Sequence, residues 1–289
     1  MGYYTAINYW VLGGFDGTKP PAEAIQDASA MGLDGVELSF GDCLKPGITA
    51  NECADIVAVA RRLGVGLRTL ATGHYWACSL ASPDPEERER AIAFTLRYIE
   101  TAHALGSETV LVVPGAVDVA WDPSRPVVPY RAVWDNAAAS LRQCLPLAES
   151  LGINIALENV WNKFLVGPIE FRQFIDQFGS HRIGAYFDIG NVVIAGYPEH
   201  WIEILGHRIK AVHVKNFKRQ DCGGVLAGFG DDLLEGDVNF DAVRTQLAAA
   251  RFDGPITAEM IPFCRLPDMI LPDMDLARKT AAALKRLFP

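Results

Sequence analysis

Eight short apolar segments, each followed by a stretch of helical periodicity, constrain the fold of this chain more than any other feature. The segments are rich in β-branched and aromatic residues and are bounded by glycine, proline and polar residues, as strands commonly are. They lie at 4–9, 35–40, 65–71, 108–114, 153–159, 183–189, 209–215 and 255–260. This alternation predicts eight consecutive strand–helix units.

Helix start and stop signals support the same division of the chain. The segments 19–21 and 82–86 contain the proline and acidic residues that open helices, and Gly32 and Gly64 stand where two helices should end. Eight such units in about 250 residues are typical of a (β/α)₈ barrel, whereas a doubly wound sheet of that length usually has fewer strands. We therefore predict an α/β fold, with one (β/α)₈ TIM-barrel domain over residues 1–289.

Two long irregular segments, 115–129 and 216–238, both follow predicted strands. Barrel enzymes build their sites from the loops after the strands, so we interpret these segments as active-site loops rather than as domain linkers. The second contains several glycines but no GxGxxG pattern ahead of a helix, which argues against a dinucleotide site.

Composition narrows the class of partner. A net charge of −9 and a pI near 5.2 argue against a protein that binds the phosphate backbone of nucleic acids. The sequence shows no apolar run of membrane-spanning length and no secretory leader at its start, so we expect a cytoplasmic protein without a membrane partner. The six cysteines lack a CxxC pair and are expected to be reduced; they are residues 43, 53, 78, 144, 222 and 264.

Four consecutive strands end on side chains that bind metals. Glu158, Asp188, His213 and Glu259 close the predicted strands five to eight, and the carboxyl ends of barrel strands meet at one rim. Converging carboxylates repel one another unless a cation lies between them. Carboxylate oxygens with one imidazole suit Mn²⁺, Mg²⁺, Co²⁺ or Zn²⁺, so we predict one divalent metal ion at this rim.

The segments "ALENVWNKF", "YFDIGNVV", "AVHVKNFKR" and "ITAEM" resemble, in order and spacing, the sugar-phosphate isomerase/epimerase family of xylose-isomerase-like barrels. Within it they are similar to ketose 3-epimerases, such as the D-tagatose 3-epimerases and the L-xylulose or L-ribulose 5-phosphate 3-epimerases. The resemblance implies that Glu158, Asp188, His213 and Glu259 bind the metal, with Mn²⁺ the first choice. It also implies that Glu158 and Glu259 are the acid/base pair, and that Arg219 helps to bind the substrate.

The implied reaction is epimerisation at C3 of a ketose or ketose phosphate. A metal bound through O2 and O3 would acidify the C3 proton and stabilise a cis-enediolate, and two glutamates on opposite faces would exchange the proton. The same residues would also serve an aldose–ketose isomerase or an inosose-type dehydratase. A three-zinc nuclease is disfavoured, because Asn191 stands where it would need a histidine. A non-catalytic binder would be expected to lack one of the four ligands.

Further candidates for substrate binding each have a structural alternative. Glu37 either contacts substrate or braces the barrel mouth, and His74 either lines the pocket or belongs to an aromatic cluster. Trp161 either reaches sugar hydroxyls or stiffens its loop. Lys215, Lys218 and Arg219 either hold a phosphate or are ordinary solvated charges, so the sequence leaves open whether the sugar is phosphorylated.

The resemblance also implies a homodimer or homotetramer. The aromatic loop around Trp121 and the apolar segment 269–271 are candidate contact surfaces.

Overall fold

A closed barrel of eight parallel strands forms the centre of the computed structural model, which describes residues 3–119, 121–218, 230, 232–260 and 273–289. Every strand pairs with its neighbours in chain order, and β1 pairs with β8 to close the barrel. The strands are β1 (Tyr4–Asn8), β2 (Gly35–Ser39), β3 (Thr69–Ala71), β4 (Thr109–Val112), β5 (Asn154–Glu158), β6 (Ile183–Asp188), β7 (Ile209–Val214) and β8 (Pro255–Ala258). The predicted (β/α)₈ barrel is confirmed.

Helices in the described residues follow the strands and surround the barrel. They are α1 (Tyr9–Gly13), α2 (Pro21–Ala30), α3 (Ala50–Leu63), α4 (Pro85–Leu105), α5 (Tyr130–Leu151), α6 (Pro168–Asp176), α7 (Pro198–Leu205), α8 (Phe240–Ala249) and α9 (Met274–Leu287). None of the helices described is both long and apolar enough to cross a membrane.

Local sequence explains where these helices begin and end. Asp84 caps α4 by accepting a hydrogen bond from the Glu86 N–H, with Pro85 in the first turn. Gly64 ends α3 with a φ of 68°, in the left-handed region that a glycine adopts without strain. The predicted boundaries at Pro21, Gly64 and Pro85 are confirmed.

An irregularity between β6 and β7 shapes the rim of the barrel. The register shifts between Ala185 and Tyr186, and beyond the shift Asp188 pairs with His213. Bulges of this kind re-aim side chains close to functional sites. The shift places two of the predicted metal ligands directly beside each other.

The cysteines in the described residues form no disulfides. Cys53, Cys78 and Cys144 are buried and Cys43 is partly buried, and all four are free. Cys222 and Cys264 lie outside the described residues.

Candidate metal centre and substrate cavity

The four predicted metal ligands lie together at the carboxyl ends of β5 to β8. Each offers one ligand atom, and these atoms are all within 4.8 Å of one another. His213 Nδ1 lies 3.5 Å from Glu158 Oε1 and 3.4 Å from Glu259 Oε2. All four side chains are buried, and Glu158, the most exposed, is 7% accessible. Three carboxylates and an imidazole at this spacing can hold a divalent cation.

The surroundings of the ligand atoms fit such a cation. Asp188 Oδ2 and Glu259 Oε2 are buried and lie 2.9 Å and 2.5 Å from Lys215 Nζ. His213 Nδ1 is buried and makes no hydrogen bond of normal geometry within the described chain. Buried polar atoms are usually paired, because an unpaired one costs about 1–3 kcal/mol. A cation held by the imidazole and the carboxylates would satisfy His213 Nδ1.

Asp188 is held by two asparagines that the sequence analysis did not select as site residues. Its Oδ1 accepts a hydrogen bond from the Asn191 N–H at 2.8 Å. The Asn159 side chain bonds to both the N–H and the C=O of Asp188, and Asn191 Nδ2 donates to the Asn159 C=O. The sequence signal for this arrangement is position: Asn159 directly follows Glu158, and Asn191 lies three residues after Asp188. Both carboxylates end strands.

Glu37 supports His213 from below the cavity. Its Oε1 lies 2.7 Å from His213 Nε2 and accepts from Asn8 Nδ2 at 2.7 Å, and its Oε2 accepts from the Tyr186 hydroxyl. Glu37 is fully buried and is not among the residues that line the cavity described next. Of the two roles considered from sequence, its position corresponds to bracing. Carboxylates commonly orient metal-binding histidines in this way, with the other ring nitrogen left for the metal.

The electrostatics of the centre follow from burial and mutual contact. Burial raises the pKa of Glu158 to about 7, and the nearby Glu259 carboxylate adds to this rise. Burial alone would lower the pKa of His213, but Glu259 and Glu37 raise it well above its ordinary value. Burial would likewise lower the pKa of Lys215, yet Asp188 and Glu259 raise it above its usual range.

A cavity of about 450 Å³ opens above the centre. Glu158, Glu259, Lys215 and Asn191 line its polar end. Six aromatic side chains line the rest of the cavity together with smaller residues: Trp10, Phe15, Phe40, Trp76, Trp121 and Trp161. Its volume is within the range of about 300–1,000 Å³ that is usual for small-molecule sites.

The structure brings most of the other predicted site residues to this cavity. His74 lines it and also stacks on Phe94, with ring centroids 3.9 Å apart, so it has both of the positions considered. Burial lowers the pKa of His74. Trp161 lines the cavity and donates its Nε1–H to the Asn191 C=O at 2.9 Å, which ties the loop after β5 to the loop after β6.

Lys215 is buried and paired with carboxylates, and is therefore not a solvated charge. Trp121 is 41% exposed at the cavity mouth. Arg219 and the candidate contact segment 269–271 lie outside the described residues.

Comparison with known proteins agrees with this architecture. The family model described as xylose isomerase-like TIM barrel matches residues 25–287, and the chain belongs to this family. The 2-epi-5-epi-valiolone 7-phosphate 2-epimerase of an Actinoplanes species is 30% identical over 214 residues, which cover 72% of this chain and 73% of that protein. An uncharacterized protein of Methanocaldococcus jannaschii is 30% identical over 186 residues, which are 62% of this chain and 59% of that protein's length.

Among solved structures, the D-psicose 3-epimerase of Clostridium cellulolyticum, determined with D-tagatose, superposes with a TM-score of 0.80. The two chains are 17% identical, and the match covers 99% of this chain and 98% of that one. At this identity the similarity concerns the fold.

Proposed function

We propose that this protein is a divalent-metal-dependent sugar epimerase that inverts C3 of a ketose or ketose phosphate. The observation that carries the proposal is the position of Glu158 and Glu259. Both glutamates belong to the candidate metal centre and both line the substrate cavity. A carbon acid held in this cavity would therefore have two carboxylates within its reach, which inversion through proton exchange requires.

The chain's own residues divide this work. Asp188 and His213 are buried and held by Asn159, Asn191 and Glu37, so they fix the position of the centre. One glutamate removes the proton from the carbon next to the carbonyl, and the other returns a proton to the opposite face. A carboxylate that reaches the cavity can take up a proton and return it, and both Glu158 and Glu259 reach it.

A divalent ion bound by Glu158, Asp188, His213 and Glu259 would supply Lewis-acid polarisation of the substrate carbonyl. Mn²⁺ is the first ion to test, with Co²⁺, Mg²⁺ and Zn²⁺ as alternatives. The aromatic walls formed by Trp10, Trp76 and Trp161 offer flat apolar surfaces to the C–H faces of a sugar and exclude water from the reacting carbon.

The comparisons support an epimerase in particular. A relative at 30% identity is named 2-epi-5-epi-valiolone 7-phosphate 2-epimerase, and a structure of the same fold is named D-psicose 3-epimerase. The two differ in whether the named substrate is phosphorylated. Free and phosphorylated sugars therefore both belong in the first assay.

The test is proton exchange with solvent. Protein loaded with Mn²⁺ is incubated in D₂O with free ketoses and ketose 5-phosphates, and deuterium is located by NMR. We expect deuterium at C3 together with the C3-inverted sugar, and we expect protein treated with a chelator to lose the exchange.

Other results would assign a different reaction. Label at C1 or C2 with formation of an aldose would indicate an aldose–ketose isomerase, and loss of water would indicate a dehydratase. Absence of exchange with every sugar in metal-loaded protein would contradict the proposal.

A further inference from the structure

Lys215 stands in an unusual place for a lysine. It comes two residues after His213, so both side chains project to the interior face of the barrel. Lys215 is 3% exposed, and among the described residues that line the cavity it is the only lysine or arginine. A buried ammonium requires anionic partners to offset the loss of hydration.

Its partners are two of the candidate metal ligands. Lys215 Nζ lies 2.9 Å from Asp188 Oδ2 and 2.5 Å from Glu259 Oε2. A divalent ion in the centre would therefore share both carboxylates with an ammonium group.

Neighbouring backbone accommodates this side chain. A Cβ on Gly190 would lie 2.3 Å from Lys215 Cγ and 2.8 Å from the Lys215 carbonyl oxygen. The glycine two residues after Asp188 thus leaves the space in which the lysine stem runs toward the centre. The close packing of the ends of β6 and β7 therefore holds the Lys215 side chain in this position.

We propose that Lys215 is a second cationic group of the reaction centre, which acts on the substrate oxygen where negative charge develops. Two cations that share Asp188 and Glu259 repel each other, so the lysine lowers the affinity of the centre for its metal. Lys215 lines the cavity, so its N–H groups can donate to the substrate oxygen on which negative charge develops. This stabilisation, added to that of the metal, offsets the loss of metal affinity. This inference rests on the proposed function and adds a residue to its catalytic group.

The test compares Lys215→Met with the wild-type protein and with Lys279→Met. Methionine keeps the length of the stem without the charge. Lys279 on α9 is exposed, is paired with the carboxylate of Asp232 and does not line the cavity, which makes it a control for the loss of a paired lysine. Mn²⁺ affinity is measured by titration calorimetry, and deuterium exchange is measured with the sugar that the wild-type protein labels.

We expect Lys215→Met to bind Mn²⁺ about tenfold more tightly, because a competing cation has been removed. We expect its exchange rate to fall about 100-fold, because one stabilising group at the developing oxyanion has been lost. The Lys279→Met variant should match the wild-type protein in both measurements. Lys215→Arg, which retains the charge in a different shape, should keep the wild-type Mn²⁺ affinity and lose exchange.

Two results would overturn the inference. Unchanged or weaker Mn²⁺ binding by folded Lys215→Met would show that the lysine does not compete for the carboxylates. Tighter binding with an unchanged exchange rate would show that it does not act on the substrate. If the methionine variant does not fold, tenfold tighter Mn²⁺ binding by Lys215→Arg would overturn the inference equally.

The affinity comparison needs no sugar and therefore separates this inference from the proposed function. If the wild-type protein exchanges deuterium and Lys215→Met binds Mn²⁺ with unchanged affinity, only the role of the lysine is refuted. Absence of exchange in the wild-type protein would refute the epimerase.

Discussion

Asp188 shows how a single residue can be both costly to the fold and necessary to the site. An ionised carboxylate at the end of a buried strand is unfavourable unless its oxygens are satisfied. One oxygen accepts the Asn191 N–H at 2.8 Å, and the other is directed to Lys215 at 2.9 Å and to the candidate metal centre. The backbone thus stabilises half of the carboxylate, and the other half is available for a cation.

At the same scale, Glu158 and Glu259 differ from the other ligands because they also line the cavity. We expect Glu158→Gln and Glu259→Gln each to lower deuterium exchange by about 100-fold or more, because an amide cannot take up the substrate proton. The amide has nearly the same shape as the carboxylate, so the fold should be retained. NMR exchange assays combined with circular dichroism check both expectations.

Glu203→Gln is a suitable control, because Glu203 is exposed on α7. It should exchange at the wild-type rate. Wild-type exchange in either Glu158→Gln or Glu259→Gln would remove that residue from the acid/base pair.

Elements were predictable wherever a periodic pattern marked them. The eight apolar segments became eight strands, since a buried strand requires a short run of apolar residues whatever surrounds it. The bond between Glu37 and His213 joins residues 176 positions apart and depends on closure of the barrel, which no local pattern encodes. The same holds for the contact of Lys215 with Asp188, which follows a register shift in β6.

The junction of β6 and β7 gives a prediction at this scale. Gly190→Ala would place a Cβ 2.3 Å from Lys215 Cγ and 2.8 Å from the backbone oxygen of Lys215. We expect a loss of roughly 1–3 kcal/mol in the free energy of unfolding, because the ends of β6 and β7 must move apart. Urea denaturation measures this effect.

Gly196→Ala serves as the comparison, since a Cβ there would have its nearest contacts at 3.5 Å. It should change stability by less than about 0.5 kcal/mol. Equal stability of the two variants would show that the strand ends tolerate a side chain at Gly190.

Glu87 on α4 gives a prediction about pH. It accepts hydrogen bonds from the Ser79 N–H, the Ser82 hydroxyl and Arg125, and so ties the loops after β3 and β4 together. Burial alone would raise the pKa of Glu87, but these three bonds hold it below its usual value. A lowered pKa in the folded state adds stability above the unfolded value, near 4.5, and this stability is lost as the pH falls through the folded value.

We therefore expect Glu87→Gln to lower the melting temperature at pH 7 and to have a much smaller effect at pH 3. Thermal denaturation of both proteins across this pH range provides the measurement. Glu89→Gln, on the exposed face of the same helix, should have little effect at either pH. An equal loss at pH 3 and pH 7 would mean that the charge of Glu87 contributes no stability.

At the scale of the whole molecule, the candidate metal centre links four consecutive strands, which are half of the barrel. Its four ligands come from the ends of β5, β6, β7 and β8, and β8 closes the barrel by pairing with β1. This convergence could be predicted from sequence, because the carboxyl ends of all barrel strands meet at one rim. The aromatic walls of the cavity come from α1 and from separate segments after other strands, and their assembly could not be predicted.

A cation that binds this centre in the folded chain must stabilise the entire fold. An ion at 100 times its dissociation constant adds about 2.7 kcal/mol when it does not bind the unfolded chain. We therefore expect saturating Mn²⁺ to raise the melting temperature of chelator-treated protein by several degrees.

Asp188→Asn should lose most of this increase, because an amide oxygen is a weaker ligand than a carboxylate. Asp176→Asn, a remote carboxylate paired with Arg208, should respond to Mn²⁺ as the wild-type protein does. The same increase in Asp188→Asn and in the wild-type protein would place the ion outside the four strand ends.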